Sequence, residues 1–378
     1  MSDGPSVLVL GGGAIGMSIA LHLRWRGARV RIVERGALGS GVSRLGGGWV
    51  AAQARRHPAQ LTLALDSIAH YPGFLDHAET EAGFRRSGSL LLFETATAME
   101  ERRAVLAEQQ GVAGYDGFAF LSPDELHEVE PAIRAAHIIG GTWRAADCTL
   151  DPPALVAGLA AALRREGVVI AEGAAVEAIA RDGAGWRVVT TLGDVTADLL
   201  VNAAGAAAPA LCAMAGAALP LSPVSGQIMT TGPQNPFVRT LIVVAHNPAI
   251  PDCPARDLRQ GADGRLWIGT VNHHGSADAA VRRADTDRIR AAMSRIFPDL
   301  ADIPFDHGYA GTRATAADGL SVYGRTENDG MFVAVPLSGI AEAAAAGRRM
   351  AELILDGTAP ILGPAFSPSR LTAPAPLH

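Results

Sequence analysis

The chain has 378 residues, of which 48% are hydrophobic and 19% charged, and its formal net charge is −6. This composition is typical of a globular protein with room for two domains, and no basic stretch indicates a nucleic-acid partner. The three cysteines, at positions 148, 212 and 253, are scattered and odd in number, which argues against a disulfide framework and a cysteine-based zinc site. We expect neither a secretory signal nor a membrane span, and therefore a cytoplasmic location.

The first predicted strand ends in a glycine-rich turn. The sequence VLVLGGGAIG contains a Gly-x-Gly-x-x-Gly pattern between an apolar run and a helical pattern. Gly11 permits the tight bend, Gly13 lets the backbone approach a pyrophosphate, and Gly16 lets helix and strand pack closely. The phosphates would face the helix dipole and the free N–H groups at the helix start, those of Ala14 and Ile15 among them. The turn predicts a dinucleotide site.

The second predicted strand supports this interpretation. Residues 28–33 alternate like a strand and end at Glu34. An acid at that tip can accept hydrogen bonds from both hydroxyls of an adenosine ribose, and we expect Glu34 and the adjacent Arg35 to contact the cofactor. An ordinary βαβ unit is the alternative, but the turn, helix, strand and acid together favour a dinucleotide.

A Gly-rich loop follows at residues 36–49, with Ser43 and Arg44 in its middle and Gly47 and Gly48 near its end. A loop so short of side chains lets backbone wrap a flat cofactor, whereas a plain surface loop is the alternative.

The middle of the chain mixes helical and strand patterns. Helices are predicted at 58–82, 98–110, after the Ser-Pro start at 122, and at 151–166. A strand is predicted at 89–93, and the strands at 168–170 and 186–189 are expected to return to the first sheet. A buried strand at 198–203 then runs into a small-residue turn at Ala204 and Gly205.

The later part of the chain is predicted to carry a second sheet. Strand patterns at 227–229, 241–244 and 266–269 precede a helix at 278–297, and residues 308–324 are expected to return to the cofactor. A last strand at 331–335 and a last helix at 339–355 precede a proline-rich stretch, expected to be a peripheral tail.

These patterns predict an α/β fold in which a mixed β-sheet domain is inserted into a Rossmann-type domain. We assign residues 1–82, 150–220 and 306–378 to the cofactor domain, and residues 83–149 and 221–305 to the substrate domain.

The order of motifs resembles the D-amino-acid oxidase family of FAD-dependent oxidoreductases, which includes glycine oxidase, sarcosine oxidase and the flavin subunits of opine and hydroxyproline dehydrogenases. The landmarks are the glycine turn with Glu34, the loop at 43–49, RSGSL at 86–90, Asp-Pro at 151–152, VNAAG at 201–205, LPLSPVSGQ at 219–227 and AGTRATAADG at 310–319. The resemblance implies FAD and a substrate-binding sheet domain. A nicotinamide dehydrogenase is the weaker alternative, because the second domain shows no catalytic constellation for it.

Cofactor contacts implied by the resemblance extend beyond the glycine turn. They are expected at Ser43, Arg44, Gly47, Gly48, Val176, Ala204, Gly205, Ser338, Gly339 and Ile340. No cysteine falls in 308–319 or 336–340, near which covalent relatives attach their flavin, so we expect non-covalent FAD.

Flavin amine oxidation needs little acid–base machinery, because a neutral amine delivers hydride from Cα to flavin N5 and the imine hydrolyses in water. The resemblance implies that Arg313 holds a substrate carboxylate, with a surface or domain-bridging arginine as the alternative. By resemblance Trp49 and Gln53 would lie near the isoalloxazine, although Trp49 could equally be a core aromatic. His246 and Tyr309 could face substrate, but a structural role is favoured for each.

Two further patterns bear on the chemistry. The adjacent histidines at 273 and 274 point to opposite faces of a strand and have no suitably spaced third ligand, so no metal site is expected. The last helix departs from the family, because Leu337 stands where many relatives have histidine and Glu342 falls in the first turn. If Glu342 pointed toward the flavin, its charge would oppose reduction.

We therefore expect oxidation of the C–N bond of a small amino or imino acid, such as a D-amino acid, a glycine derivative or an opine-like compound. Oxygen or a partner protein would accept the electrons. The alternatives are a flavin subunit of a multi-chain dehydrogenase and a flavin-binding protein with weakened catalysis.

Overall fold

The computed structural model describes residues 4–247 and 254–371. The helices are α1 (Ala14–Trp25), α2 (Pro58–His77), α3 (Ala96–Gln109), α4 (Pro123–Val129), α5 (Pro152–Arg165), α6 (Ala208–Met214), α7 (Arg283–Ser294) and α8 (Gly339–Asp356). Within these ranges no helix combines the length and apolar character needed to cross a bilayer.

The strands are β1 (Ser6–Leu10), β2 (Arg29–Glu34), β3 (Trp49–Val50), β4 (Ser89–Phe93), β5 (Ala119–Leu121), β6 (Gly140–Arg144), β7 (Cys148–Thr149), β8 (Val169–Glu172), β9 (Val176–Asp182), β10 (Gly185–Thr190), β11 (Gly193–Ala197), β12 (Leu199–Asn202), β13 (Ser222–Pro233), β14 (Leu241–Val244), β15 (Arg256–Gln260), β16 (Arg265–His274), β17 (Phe305–Thr315), β18 (Val322–Arg325) and β19 (Met331–Val335).

A six-stranded sheet in the order β18-β19-β12-β1-β2-β8 holds the glycine turn. Its strands run parallel except for β18, so the turn and the end of β2 lie at one edge of the sheet. One face of β1 packs Val7 and Val9 with the residues of α1 and α8, and the other packs Leu8 and Leu10 with Trp186 of β10. Burial on both faces explains why β1 reads as a continuous apolar run. The parallel strands and the helices between them confirm the α/β fold with a Rossmann-type sheet.

A second sheet has eight strands in the order β17-β13-β16-β15-β14-β4-β6-β5, antiparallel except between β14 and β4. On one face Leu258, Leu266 and Ile268 pack against Ile289 of α7. Side chains alternate along a strand, so the neighbours of Leu258 and Leu266 point to the opposite face, which we call the site face. There β15 contributes Asp257 and Arg259.

Two expectations about sheet membership differ from the structure. The strand at 169–172 joins the six-stranded sheet as predicted, but β10 forms a separate three-stranded sheet with β9 and β11. A short turn at Gly183 closes β9 onto β10, and this local antiparallel pairing takes β10 out of the main sheet. Strand β17 pairs with β13 as far as Thr315, so the eight-stranded sheet continues past the predicted boundary at 306.

The C-terminal stretch is packed rather than peripheral as far as residue 371. Phe366 is fully buried beside Tyr323, and its carbonyl accepts the Tyr323 N–H at 2.9 Å. An aromatic side chain in a run without periodicity gave no pattern from which this burial could be predicted. Cys148 and Cys212 are free and buried, while the third cysteine, at 253, lies outside the described residues.

Candidate active site

The glycine turn brings the ends of β1 and β12 into direct contact. Gly11 has a φ of +104°, and a Cβ there would lie 2.6 Å from the Ala203 carbonyl oxygen. A Cβ at Gly16 would overlap the Gly11 carbonyl oxygen. Both positions therefore require glycine, and the turn after β12, with Ala204 and Gly205, lies next to the start of α1.

Two side chains reach the glycine turn. The Ser43 hydroxyl accepts the Ala14 N–H at 2.9 Å, so the Gly-rich loop covers the N-terminus of α1. The Glu34 carboxylate accepts the N–H groups of Gly12, at 2.7 Å, and Gly36, at 2.9 Å. Its position at the tip of β2 is the one predicted for an acid that binds a ribose.

The remaining predicted cofactor residues divide into two groups. The backbone leading into Val176 lies beside the tip of β2, because the Ala174 N–H donates to the Glu34 carbonyl at 2.9 Å. Arg35 and Arg44, in contrast, have exposed side chains.

The end of the Gly-rich loop lies over the site face of the eight-stranded sheet. A Cβ at Gly269 of β16 would stand 3.6 Å from the Trp49 indole. Arg259 Nε donates to the Gly47 carbonyl, and its guanidinium lies 5.0 Å from the Trp267 ring centroid. Arg259 is 3% exposed, and burial lowers its pKa to about 10. Trp49 Nε1 and Arg259 Nη2 are both buried, and neither has an acceptor among the described residues.

Arg313 reaches from β17 across the site face to β16. Its Nη2 donates to Asn272 Oδ1 at 2.9 Å, and its buried Nε has no acceptor among the residues described. Burial lowers the Arg313 pKa, and the nearby Asp257 carboxylate opposes that effect. The strand between is open at Gly226, where a Cβ would lie 3.1 Å from Asn272 Oδ1. Because Gly226 has no side chain, the Arg313 guanidinium can cross β13 and reach Asn272.

Gln53, predicted to lie near the isoalloxazine, is held inside the core by its own hydrogen bonds. Gln53 is 0% exposed, and its amide donates to the carbonyls of Ser89 and Thr142. Its Oε1 accepts from Arg102 and from the Thr142 hydroxyl. All its polar atoms are used inside the core, because the chain turns inward after the Gly-rich loop and buries Gln53 between α3 and β6.

The other two candidates lie at different places. Tyr309 is half-buried and stacks on Trp267 with ring centroids 5.7 Å apart, beside Arg259. His246 is exposed just beyond β14, next to residues 248–253, which are outside the described ranges. Nothing in the described structure joins His246 to the cluster around Arg313.

The first turn of α8 contains a buried acid. Glu342 is 0% exposed and accepts hydrogen bonds from Gln60 Nε2 at 2.9 Å, the Ser321 and Tyr323 hydroxyls at 2.7 Å, and the Ser338 N–H at 3.0 Å. Burial raises the Glu342 pKa, while Arg55 and these donors oppose the rise. The carboxylate is therefore held inside the protein by its own network.

The start of α8 adjoins the Gly-rich loop. A Cβ at Gly46 would lie 3.5 Å from the Ile340 side chain, and a Cβ at Gly339 would lie 4.0 Å from that of Ile15. The Tyr71 hydroxyl donates to the Ile340 carbonyl, which ties this turn to α2. The glycine turn, the loop and the α8 start thus border one another.

A comparison with known proteins identifies the family to which this chain belongs. The sequence model of a family described as "FAD dependent oxidoreductase" matches residues 6–353. The chain belongs to this family. It is an FAD-dependent oxidoreductase.

Relatives within the family are distant in sequence and close in structure. Glycine oxidase of Geobacillus kaustophilus is 28% identical over 335 residues, which are 87% of this chain and 86% of that protein. Its crystal structure superposes with a TM-score of 0.88 at 26% identity, covering 97% of this chain and 99% of that one. Mouse mitochondrial dimethylglycine dehydrogenase is 30% identical over 272 residues, 70% of this chain but 30% of that longer protein.

The residues of this FAD-dependent oxidoreductase fit the cofactor. Gly11 and Gly16 let the turn pack tightly at the start of α1, where free N–H groups suit a pyrophosphate, and Glu34 stands at the tip of β2, where an acid could bind a ribose. The orphan donors of Trp49, Arg259 and Arg313 lie along the loop and the site face, and an acceptor-rich ring or a substrate carboxylate would satisfy them.

Several residues of the site escaped the sequence prediction. Asp257, Arg259 and Asn272 matter because neighbouring strands bring them together, and no local motif marks them. One signal was available, since Asp257 and Arg259 flank Leu258 in an alternating pattern that puts two charged side chains on one strand face. The partners of Glu342 come from α2, β18 and the turn before α8, and nothing in the sequence joins them.

Proposed function

We propose that this protein oxidises the C–N bond of a small amino or imino acid and that Arg313 binds the substrate carboxylate. One observation carries the proposal: the half-buried Arg313 on the site face is fixed through Asn272, yet its buried Nε has no acceptor among the residues described. A guanidinium with an unused donor is suited to bidentate binding of a carboxylate.

The reaction divides between cofactor and protein. FAD, when bound, supplies the acceptor for the hydride that leaves the substrate Cα, and the imine product then hydrolyses in water. Asn272 fixes the Arg313 guanidinium through a hydrogen bond, and Trp49 covers the site face at Gly269. The names of relatives support the substrate class, since glycine oxidases and 4-methylaminobutanoate oxidase of Paenarthrobacter nicotinovorans act on amines that carry a carboxylate.

The buried network at α8 argues against weakened catalysis. The charge of Glu342 would oppose flavin reduction only if it faced the flavin with few donors around it. Three of its four hydrogen bonds instead join α8 to Gln60, Ser321 and Tyr323. The acid in the first turn of this helix therefore has a structural explanation.

We also propose that FAD is held without a covalent bond. Cys148 and Cys212 are buried, and burial raises the pKa of each thiol to about 11, so neither is a thiolate at neutral pH. Precipitation of the holoenzyme with acid should release the yellow cofactor into the supernatant. A yellow pellet would contradict the proposal.

The carboxylate role is tested with Arg313→Met. The variant should retain FAD and its visible spectrum while the affinity for methoxyacetate, a carboxylate without an amine, falls about 100-fold, because a charge-assisted pair is lost. Arg295→Met, on an exposed arginine beyond α7, is the matched control and should leave the affinity unchanged. Equal affinity of native protein and Arg313→Met would overturn the assignment.

A further inference from the structure

The site face carries an acid whose hydrogen bonding is incomplete. Asp257 of β15 is 8% exposed, and in the described part of the chain its carboxylate accepts one hydrogen bond, from the Thr270 hydroxyl at 3.3 Å. A carboxylate offers about four acceptor sites. Glu342, which is also buried, fills its sites with four donors. Asp257 is therefore a buried charge with unused capacity.

Asp257 and Arg313 face each other without joining. Arg313 is the charged group that acts on the Asp257 carboxylate, yet in the described part of the chain no ion pair joins the two within 4.0 Å. Instead each is held by a neutral neighbour on β16, Arg313 by Asn272 and Asp257 by Thr270. Two opposite charges that are near but unpaired match a ligand that carries both charges.

We propose that Asp257 binds the substrate's ammonium group and accepts its proton. This inference rests on the proposed function, because it requires the substrate carboxylate to lie on Arg313. A zwitterionic amino acid would then span the two side chains, its carboxylate toward Arg313 and its nitrogen toward Asp257. Amino acids that carry a cationic nitrogen become preferred over carboxylates that do not.

The proton transfer balances within the pair. The substrate N–H bond breaks and an O–H bond forms on Asp257, so the ammonium and the carboxylate both become neutral. The nitrogen regains the lone pair that it needs before hydride can leave Cα as the imine forms. The proton on Asp257 later passes to water.

The surroundings of Asp257 suit a proton acceptor. Arg313 on β17 is the charged group near it, with Arg55 acting on Arg313 in turn, while β16 contributes Thr270 and β14 presents Val243. Burial raises the Asp257 pKa to about 6, against the opposing effects of Thr270 and Arg313. Such a carboxylate is ionised at neutral pH and is a stronger base than an exposed aspartate.

The test compares two ligands on four holoenzymes. N-methylglycine carries the ammonium, and methoxyacetate has the same length with an ether in its place. Affinities come from anaerobic rapid-mixing reduction for N-methylglycine and from the perturbed flavin spectrum for methoxyacetate. The proteins are native, Asp257→Asn, Arg313→Met and a control, Asp302→Asn, which removes a charge at an exposed position.

Asp257→Asn should lower the affinity for N-methylglycine at least about tenfold, because one charged contact is lost. Its affinity for methoxyacetate should change less than twofold. Arg313→Met should lower the affinity for both ligands, and the control should change the affinity for neither. If Arg313→Met loses both ligands while Asp257→Asn keeps N-methylglycine, the proposed function stands and this inference is overturned. If Arg313→Met loses neither ligand, the proposed function fails and this inference fails with it. Equal loss of both ligands in Asp257→Asn would show a structural role and also overturn it.

The pH dependence gives a readout that a structural role would not move. In the native enzyme the rate of flavin reduction by N-methylglycine should fall as pH drops below about 6, where Asp257 is protonated and cannot accept a proton. In Asp257→Asn this limb should move toward the pKa of the amine itself, several units higher. An unchanged limb in the variant would contradict proton acceptance.

Discussion

Two buried charged clusters in this protein differ in how completely their hydrogen bonds are formed. At the start of α8, Glu342 accepts four hydrogen bonds, which join α2, β18 and α8. On the site face, Arg313 and Arg259 each keep a buried nitrogen without an acceptor in the described chain. A buried polar group costs stability unless it is paired, so a completed network stabilises the fold and an incomplete one is explained by a ligand.

The largest expected effect of a single substitution is on stability. Glu342→Ala leaves four donors unpaired, and we expect it to lower the free energy of unfolding by about 3 kcal/mol or more in urea denaturation of the native and variant holoenzymes. Glu342→Gln should lose less stability, because the amide keeps the size of the side chain and one acceptor oxygen. Glu81→Ala, at an exposed position, is the control and should change stability by less than about 0.5 kcal/mol.

Arg313→Met should behave in the opposite way. Removing a guanidinium that is desolvated and only partly paired should change the free energy of unfolding by less than about 1 kcal/mol, or raise it. The same urea denaturation measures it. If Arg313→Met destabilised the protein as strongly as Glu342→Ala does, the two clusters would not differ in the way described.

The pH dependence of stability sharpens the comparison at Asp257. Its pKa is raised from 3.8 to about 6, so between pH 4 and 6 the folded protein binds more protons than the unfolded chain. Stability from this group is therefore greatest at low pH and declines as pH rises to about 6. Over that range the unfolding free energy of the native protein should fall by about 2–3 kcal/mol relative to that of Asp257→Asn. A constant difference would show that the Asp257 pKa is not raised.

The smallest effect concerns the helix N-terminus at the cofactor site. Ser43→Ala removes the acceptor of the Ala14 N–H, and we expect FAD affinity to change by about fivefold, equivalent to about 1 kcal/mol. Fluorescence titration of the apoprotein with FAD measures the change. Ser40→Ala, at an exposed position in the same loop, should leave the affinity as it is.

The sequence predicted best the features whose residues are close along the chain. The turn from Gly11 to Gly16 and the acid at Glu34 are set by local geometry, so their order alone indicated the Rossmann-type sheet. Asp257 and Asn272 escaped because their role comes from the order of β15, β16, β13 and β17, which no local pattern shows. Resemblance predicts Gln53 near the isoalloxazine, and the sequence alone did not show the four hydrogen bonds that hold it in the core.

Oxidation of amines that bear a carboxylate is the activity proposed for this site. It is tested most directly by an anaerobic absorbance titration of the yellow native holoenzyme with glycine, N-methylglycine, D-amino acids, prolines and opines. We predict that at least one of them bleaches the flavin band, that Arg313→Met resists bleaching at the same concentration, and that admitting air shows whether oxygen is the acceptor. A flavin that none of these amines bleaches, or an Arg313→Met protein that bleaches as readily as the native one, would contradict the account.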